Sequence, residues 1–165
     1  MKKPRRYWDA CTFLGWFNEE KDKVEKCMGV VKLAEDGELI LVTSALTLTE
    51  VVCLKGLPRL PEQSEEKLKD FFEQEFLSVR TVDRVIADKA RQLVWKYNLK
   101  PKDSIHVATA LQLGLSIFDT FDDDLIALDG KLGNPRLRIG HPDISYQEKM
   151  NLPQESKEAR KSEED

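Results

Sequence analysis

Long apolar runs are missing. Nowhere in its 165 residues does the chain hold the roughly 20 consecutive apolar side chains that a bilayer-crossing helix requires. Met1-Lys2-Lys3-Pro4-Arg5-Arg6 leads into no apolar stretch of the signal-peptide kind, so a soluble, cytoplasmic protein is expected. Cysteine is scarce: Cys11, Cys27 and Cys53 lie 16 and 26 residues apart, with no C-x-x-C pair and no histidine at zinc spacing. That excludes a disulfide scaffold and a zinc module. Each cysteine sits in an apolar stretch and is read as a small buried hydrophobe. The two histidines, His106 and His141, stand apart and are read as packing or surface residues.

Neither sign of charge dominates, since 26 basic residues face 30 acidic ones for a net charge of −4. Bulk attraction to nucleic acid is therefore not built in. Gathering four carboxylates in one metal-filled pocket would leave 26 against 26, so local basic patches remain compatible with the total. With 41% hydrophobic and 34% charged residues, the chain is neither collagen-like, mucin-like nor disordered. Its length suits one domain able to bury roughly 68–70% of the surface exposed when unfolded.

Strands and helices take turns along the chain. Arg5 to Asp9 is short and aromatic, and Leu39 to Thr43 is a continuous apolar, β-branched run of the buried parallel kind. Phe76 to Val82, Ser116 to Asp119 and Arg136 to Ile139 read as further strands. Val24, Cys27, Met28 and Val31 fall at i, i+3, i+4 and i+7, an amphipathic helical stripe, and Ile86, Ala90, Leu93, Val94 and Tyr97 form another. A helix after Pro101 carries Val107, Ala110 and Leu111 and stops near Gly114. Alternation of this kind predicts an α/β domain with a mainly parallel sheet of four to five strands between helices. One domain over residues 1–150 and a polar, frayed tail over residues 151–165 complete the expected organisation.

In open parallel sheets the reactive crevice lies outside the carboxyl ends of the strands. The residues leaving the expected strands are acidic: Asp9 after the first, Glu50 early in the helix after the second, Asp103 opening the Pro101 helix, and Asp119, Asp122, Asp123 and Asp124 after the fourth. Gathered carboxylates repel and raise one another's pKa unless a cation lies between them. Mg²⁺ or Mn²⁺, hard cations that take oxygen ligands and a substrate phosphate, suits such a cluster and points to phosphodiester hydrolysis. Singly, each acid has a plainer reading: Asp103 as a helix cap, Glu50 as a solvated helix position, Asp122 to Asp124 as a turn.

Four segments resemble the successive motifs of PIN domains: Trp8-Asp9-Ala10-Cys11-Thr12-Phe13-Leu14, Ser44-Ala45-Leu46-Thr47-Leu48-Thr49-Glu50-Val51, Lys102-Asp103-Ser104-Ile105-His106-Val107-Ala108-Thr109-Ala110 and Thr120-Phe121-Asp122-Asp123-Asp124-Leu125. Order and spacing agree, with intervals of 41, 53 and 19 residues between Asp9, Glu50, Asp103 and Asp122. The resemblance spans Arg5 to His141 and implies a three-layer α/β/α fold and a metal-dependent endoribonuclease of the VapC toxin type. Its products would carry 5′-phosphate and 3′-hydroxyl ends. It further implies Asp9, Glu50, Asp103 and Asp122 as the catalytic quartet, and Asp9, Asp103, Asp122 and Asp124 as ligands of Mg²⁺ or Mn²⁺. Thr120 and Thr12 would steady the carboxylates. Either Glu50 or a water held by the metal serves as base, and Asp119 competes with Asp122 as the fourth ligand. Cys11 stands where the family often has a small hydroxyl or amide residue.

The resemblance also implies an RNA substrate, a homodimer and silencing by a small antitoxin. Lys100, Lys102, Arg5 and Arg6 are the leading candidates to meet RNA phosphates, with Lys131, Arg136 and Arg138 behind them. Trp8 and Trp16 are candidates for base stacking as well as for the core. The segment from Leu54 to Gln74, with Pro58 and Pro61, suggests a modified partner surface or substrate groove. Two other readings compete: a PIN-like RNA- or protein-binding module that no longer cuts, and a solitary RNA-processing nuclease without antitoxin. A phospho-acceptor domain fits worse, because only Asp9 follows the first strand, where a receiver needs an acidic pair and a phosphatase D-x-D.

Overall fold

The computed structural model of the protein describes residues 2–53 and 58–144. Its elements run β1 (Arg5–Trp8), α1 (Ala10–Phe17), α2 (Lys21–Glu35), β2 (Ile40–Ser44), α3 (Thr47–Glu50), a 3₁₀ turn (Glu62–Ser64), α4 (Glu65–Phe72), β3 (Leu77–Arg80), α5 (Arg84–Tyr97), α6 (Pro101–Gln112), β4 (Ile117–Asp119), α7 (Asp123–Ile126) and β5 (Arg138–Gly140). The five strands form one all-parallel sheet in the order β3-β2-β1-β4-β5. The five expected strands are all present, within two residues at nearly every end. The expected 151–165 tail and the limit at residue 150 lie outside the described residues.

Alternation along the strands sorts the side chains into two cores. Tyr7, Val42, Phe118 and Ile139 pack on one face with Ile86, Ala90 and Leu93 of α5 and Val107, Ala108 and Ala110 of α6. Trp8, Leu41 and Leu77 pack on the other with Phe13, Cys27, Val30, Val31, Ala34 and Phe72. Helices therefore cover both faces, as an all-parallel sheet requires. Phe13 is the hub of the second core, meeting Trp8, Phe17, Phe71 and Phe72 at centroid separations of 5.2–6.1 Å, mostly edge to face.

Local chemistry sets several boundaries. Asp83 caps α5 by accepting from the Ile86 amide, and Asn98, left-handed at φ 52°, ends it. Pro101 occupies the first turn of α6, and Gly114 at φ +63° follows its end. The helix expected around Glu50 is α3, with Glu50 at its end instead of its start, whereas α1, α7 and α4 within the proline-bearing segment were not anticipated as helices.

The cysteines divide. Cys27 is buried as expected, Cys11 is half-buried, and Cys53 is exposed, because it follows α3 at the surface instead of packing under it. Met28, placed on the inward stripe of α2, is 54% exposed.

Arg6 carries a larger correction. It is fully buried, and its guanidinium grips Asp119 through Nε at 2.8 Å and Nη2 at 2.7 Å, with Nη1 donating to the Asp143 carbonyl. The Trp8 indole donates to the same carboxylate at 2.9 Å. Burial pushes the Asp119 carboxyl up, while Arg6, Trp8 and Arg138 pull it down. Arg6 is thus a core cation tying β1 to β4, not a phosphate contact. Removing one partner of a buried pair costs about 3–5 kcal/mol, so Arg6→Met is expected to lower the urea midpoint sharply. A midpoint within error of the parent would show that the pair contributes nothing net.

Candidate active site

Strand order reverses between β1 and β4, so the crevice beyond their carboxyl ends is the predicted ligand position. There a cavity of about 240 Å³ is lined by Asp9, Glu50, Asp103 and Asp122, together with Cys11, Cys53, Lys102 and His106. Four acids separated by up to 113 positions in the chain thus share one opening.

Asp9 is buried and the most constrained of them. It is the N-cap of α1: Oδ1 accepts from the Thr12 amide at 3.1 Å and lies 2.8 Å from the Thr12 hydroxyl, which also approaches the Asp119 carbonyl at 3.0 Å. Oδ2 accepts from the Thr120 hydroxyl at 2.6 Å. The Cys11 thiol donates to Oδ1 at 3.1 Å, so the sulfur supplies the hydrogen bond expected from a hydroxyl or amide at that position. Burial and the Asp9 charge push the Cys11 thiol well above its ordinary range, which keeps its proton in place as a donor.

Asp122 caps α7, its Oδ1 accepting from the Asp124 amide at 2.9 Å while its own amide donates to Thr120 at 3.1 Å. Thr120 therefore holds Asp9 and the Asp122 backbone at once. Asp103 sits in the first turn of α6 but forms no side-chain cap, and among the described residues no hydrogen bond reaches its carboxylate. Burial and the charges of Asp122 and Asp9 push its carboxyl up, opposed by His106 and Lys100. Asp9 and Asp122 thus serve as helix caps alongside their place in the pocket, whereas the cap reading of Asp103 fails.

Glu50 ends α3. Its Oε2 lies 2.7 Å from His106 Nε2 and its Oε1 3.8 Å from Lys102 Nζ. His106 is 2% exposed and its Nδ1 lies 2.7 Å from the Tyr7 hydroxyl. Sequence reading took this histidine as packing or surface; its partners are 56 and 99 residues away, and no local signal pointed to them.

Other candidates fall away. Asp119 is sequestered by Arg6, which leaves Asp122 as the acid in the pocket. Asp124 is exposed and does not line the cavity, because only its amide turns toward Asp122. Arg5 begins β1, at the end of the strand away from the crevice, and its guanidinium bonds the Leu113 carbonyl. Trp8 is fully buried and offers no stacking face, and Trp16 is half-buried against the aromatic core. Lys131, Arg136 and Arg138 precede or begin β5 and do not line the cavity. Lys100 and Lys102 are exposed beside Asp103.

The donor set is all oxygen where the pocket's charge is uncompensated, which matches a hard cation. Among the described residues no three acidic, histidine or cysteine side chains form a preassembled cage. Mg²⁺ does not demand one, since it usually binds through one or two carboxylates and keeps several waters. Asp9, Asp103 and Asp122 fit that mode.

The model of the PIN domain family matches residues 6–131, about three quarters of the chain, and the chain belongs to this family. No curated protein matches it in sequence. Among solved structures, VapC20 of Mycobacterium tuberculosis, a toxin cleaving the sarcin-ricin loop, is similar in fold, with TM-score 0.59 and 15% identity over 73% of this chain and 92% of that one. A chain of a toxin-antitoxin complex from Klebsiella pneumoniae has TM-score 0.54 and 18% identity over 74% and 90%.

Burial and the neighbouring charges of Asp122 and Asp9 make the Asp103 carboxylate a stability cost when no cation is bound. With its folded-state pKa raised, Asp103 favours folding most at low pH and loses that contribution as pH rises through the raised value. In chelator at neutral pH, Asp103→Asn is therefore expected to raise the melting temperature. A lower melting temperature would show that the carboxylate has a stabilising partner.

Proposed function

We propose that the protein is a metal-dependent endoribonuclease that hydrolyses RNA phosphodiester bonds as the toxin of a toxin-antitoxin pair. The observation that carries this reading is the single cavity lined by Asp9, Glu50, Asp103 and Asp122 at the point where strand order reverses. An uncut, binding-only role is disfavoured by the same feature, since a retired site gains nothing from the repulsion felt at Asp103. Membership of the PIN family and likeness in fold to two toxin-system chains support the reading.

Asp9, Asp103 and Asp122 would hold Mg²⁺ or Mn²⁺, and the chemistry such an ion supplies is polarisation of the scissile phosphodiester and neutralisation of its charge. The protein's own side chains do the rest. Thr12, Thr120 and Cys11 fix the Asp9 oxygens, and the α7 amide of Asp124 fixes Asp122. In this reading Glu50, which lines the cavity, takes a proton from an attacking water. Attack at phosphorus breaks the P–O3′ bond, leaving a 5′-phosphate and, after proton return, a 3′-hydroxyl. Lys100 and Lys102 are the cations at hand for the flanking phosphates.

The segment expected to form a partner surface or a substrate groove lines a cavity of about 750 Å³ beside α3, walled by Leu48, Val51, Leu60, Leu68 and Phe72. Its apolar walls suit a protein partner, and we assign the antitoxin there. A homodimer belongs to the same reading, and Trp95 on α5, 77% exposed, is available to such a contact. No helix among the described residues is long and apolar enough to cross a membrane, and a cytoplasmic location is proposed.

Asp103→Asn is expected to abolish cleavage of RNA while the circular dichroism spectrum stays unchanged; a purified variant that cuts at the parent rate would refute the site. Chelator is expected to stop the parent enzyme and Mn²⁺ to restart it. Cleavage that persists after dialysis against chelator would overturn metal dependence.

A further inference from the structure

A continuous hydrogen-bonded line runs from the middle of the sheet to the acidic pocket. Tyr7, fully buried on β1, meets His106 Nδ1 at 2.7 Å, and His106 Nε2 meets Glu50 Oε2 at 2.7 Å. The three residues come from β1, α6 and α3, and Glu50 itself sits on a helix of only four residues. So short a helix has no intrinsic stability. The position of the Glu50 carboxylate therefore depends on what grips it from outside.

We propose that His106 is the positioning residue for Glu50: the Tyr7 hydroxyl donates to Nδ1, which leaves the imidazole proton on Nε2 to donate to the carboxylate and hold it at the pocket wall. This inference rests on the nuclease reading for its consequence in catalysis, but its geometry stands apart from that reading.

The direction of the line follows from chemistry. A tyrosine hydroxyl carries a proton near neutral pH, and at 2.7 Å from Nδ1 it has that proton to give. The carboxylate can only accept. An imidazole between a donor and an acceptor takes the tautomer that satisfies both, here Nε2–H. The ring is also clamped sterically, packed edge-on to Tyr7 at 5.8 Å between centroids. The grip leaves Oε1 of Glu50 facing Lys102 at 3.8 Å and the cavity. A carboxylate so held presents one oxygen for proton transfer without having to be ordered anew in each turnover.

The plainer alternative is a buried histidine satisfied by two neighbours and serving packing alone. Two measurements separate the alternatives. Long-range ¹H–¹⁵N correlation spectra of the ¹⁵N-labelled protein read the tautomer directly: His106 Nε2 is expected in the protonated range and Nδ1 in the lone-pair range. Glu50→Gln should shift Nε2, and Tyr7→Phe should shift Nδ1 while the Glu50 carboxylate keeps the proton on Nε2. A proton on Nδ1 in the parent protein overturns the proposal.

The second measurement uses steady-state cleavage of an RNA oligonucleotide. His106→Leu, which keeps the bulk and removes the donor, is expected to lower kcat about 10–100-fold with KM little changed, the usual range for a residue that orients a catalytic group. His106→Gln, which retains a donor near the Nε2 position, should recover part of that loss. If Leu and Gln reduce kcat equally while melting temperatures match the parent, the positioning role is wrong. Should the parent protein cut no RNA, the nuclease reading fails; the Nε2 response to Glu50→Gln then decides by itself whether His106 holds the carboxylate.

Discussion

The architecture depends on neutralising one charge inside the sheet. Asp119 ends β4 in the register position opposite Trp8, at the strand pair where the topology reverses. An unpaired carboxylate there would be prohibitively desolvated. The bidentate Arg6 guanidinium and the Trp8 indole complete its hydrogen bonding and lock β1 against β4. Every residue of the pocket that follows either strand, Asp9 on one side and Thr120 and Asp122 on the other, inherits its position from that junction.

Beyond it, the charge is deliberately left unbalanced. Asp9 and Asp122 spend hydrogen-bonding capacity on helix N-termini, and both are linked through Thr120. Glu50 has His106 and Lys102. Among the described residues Asp103 has neither a cap nor a hydrogen bond, and burial together with the charges of Asp122 and Asp9 pushes its carboxyl up. The gradient from compensated Asp119 to uncompensated Asp103 over adjoining strands separates a structural carboxylate from those that face a ligand. Under the proposed function it also reconciles a net negative charge with a polyanionic substrate, since negative charge gathers where a cation would enter.

Strands were legible in the sequence because buried parallel strands are unbroken apolar runs, and α2, α5 and α6 because each shows a stripe several turns long. Helices of four to eight residues carry no such stripe, so α1 and α7 left no mark in the sequence, α3 was legible only from its place after the second strand, and α4 lies in a segment marked chiefly by Pro58 and Pro61. Asp9, Glu50, Asp103 and Asp122 were found from strand-end position and motif spacing together. The errors share one cause: a charged or polar side chain was judged by its sequence neighbours. Arg6 was read as a surface cation because its partner is 113 residues away, and His106 as an isolated ring because its partners lie on two other elements.

The three sulfurs stand in graded settings. Cys27 is enclosed in the core, its thiol pushed up to about 12 by burial, and Cys11 has its proton committed to Asp9. Cys53 is exposed and lines the acidic cavity. Alkylating reagents consequently meet one accessible thiol at the lip of the pocket. A fluorophore or spin label attached there would report directly on what enters.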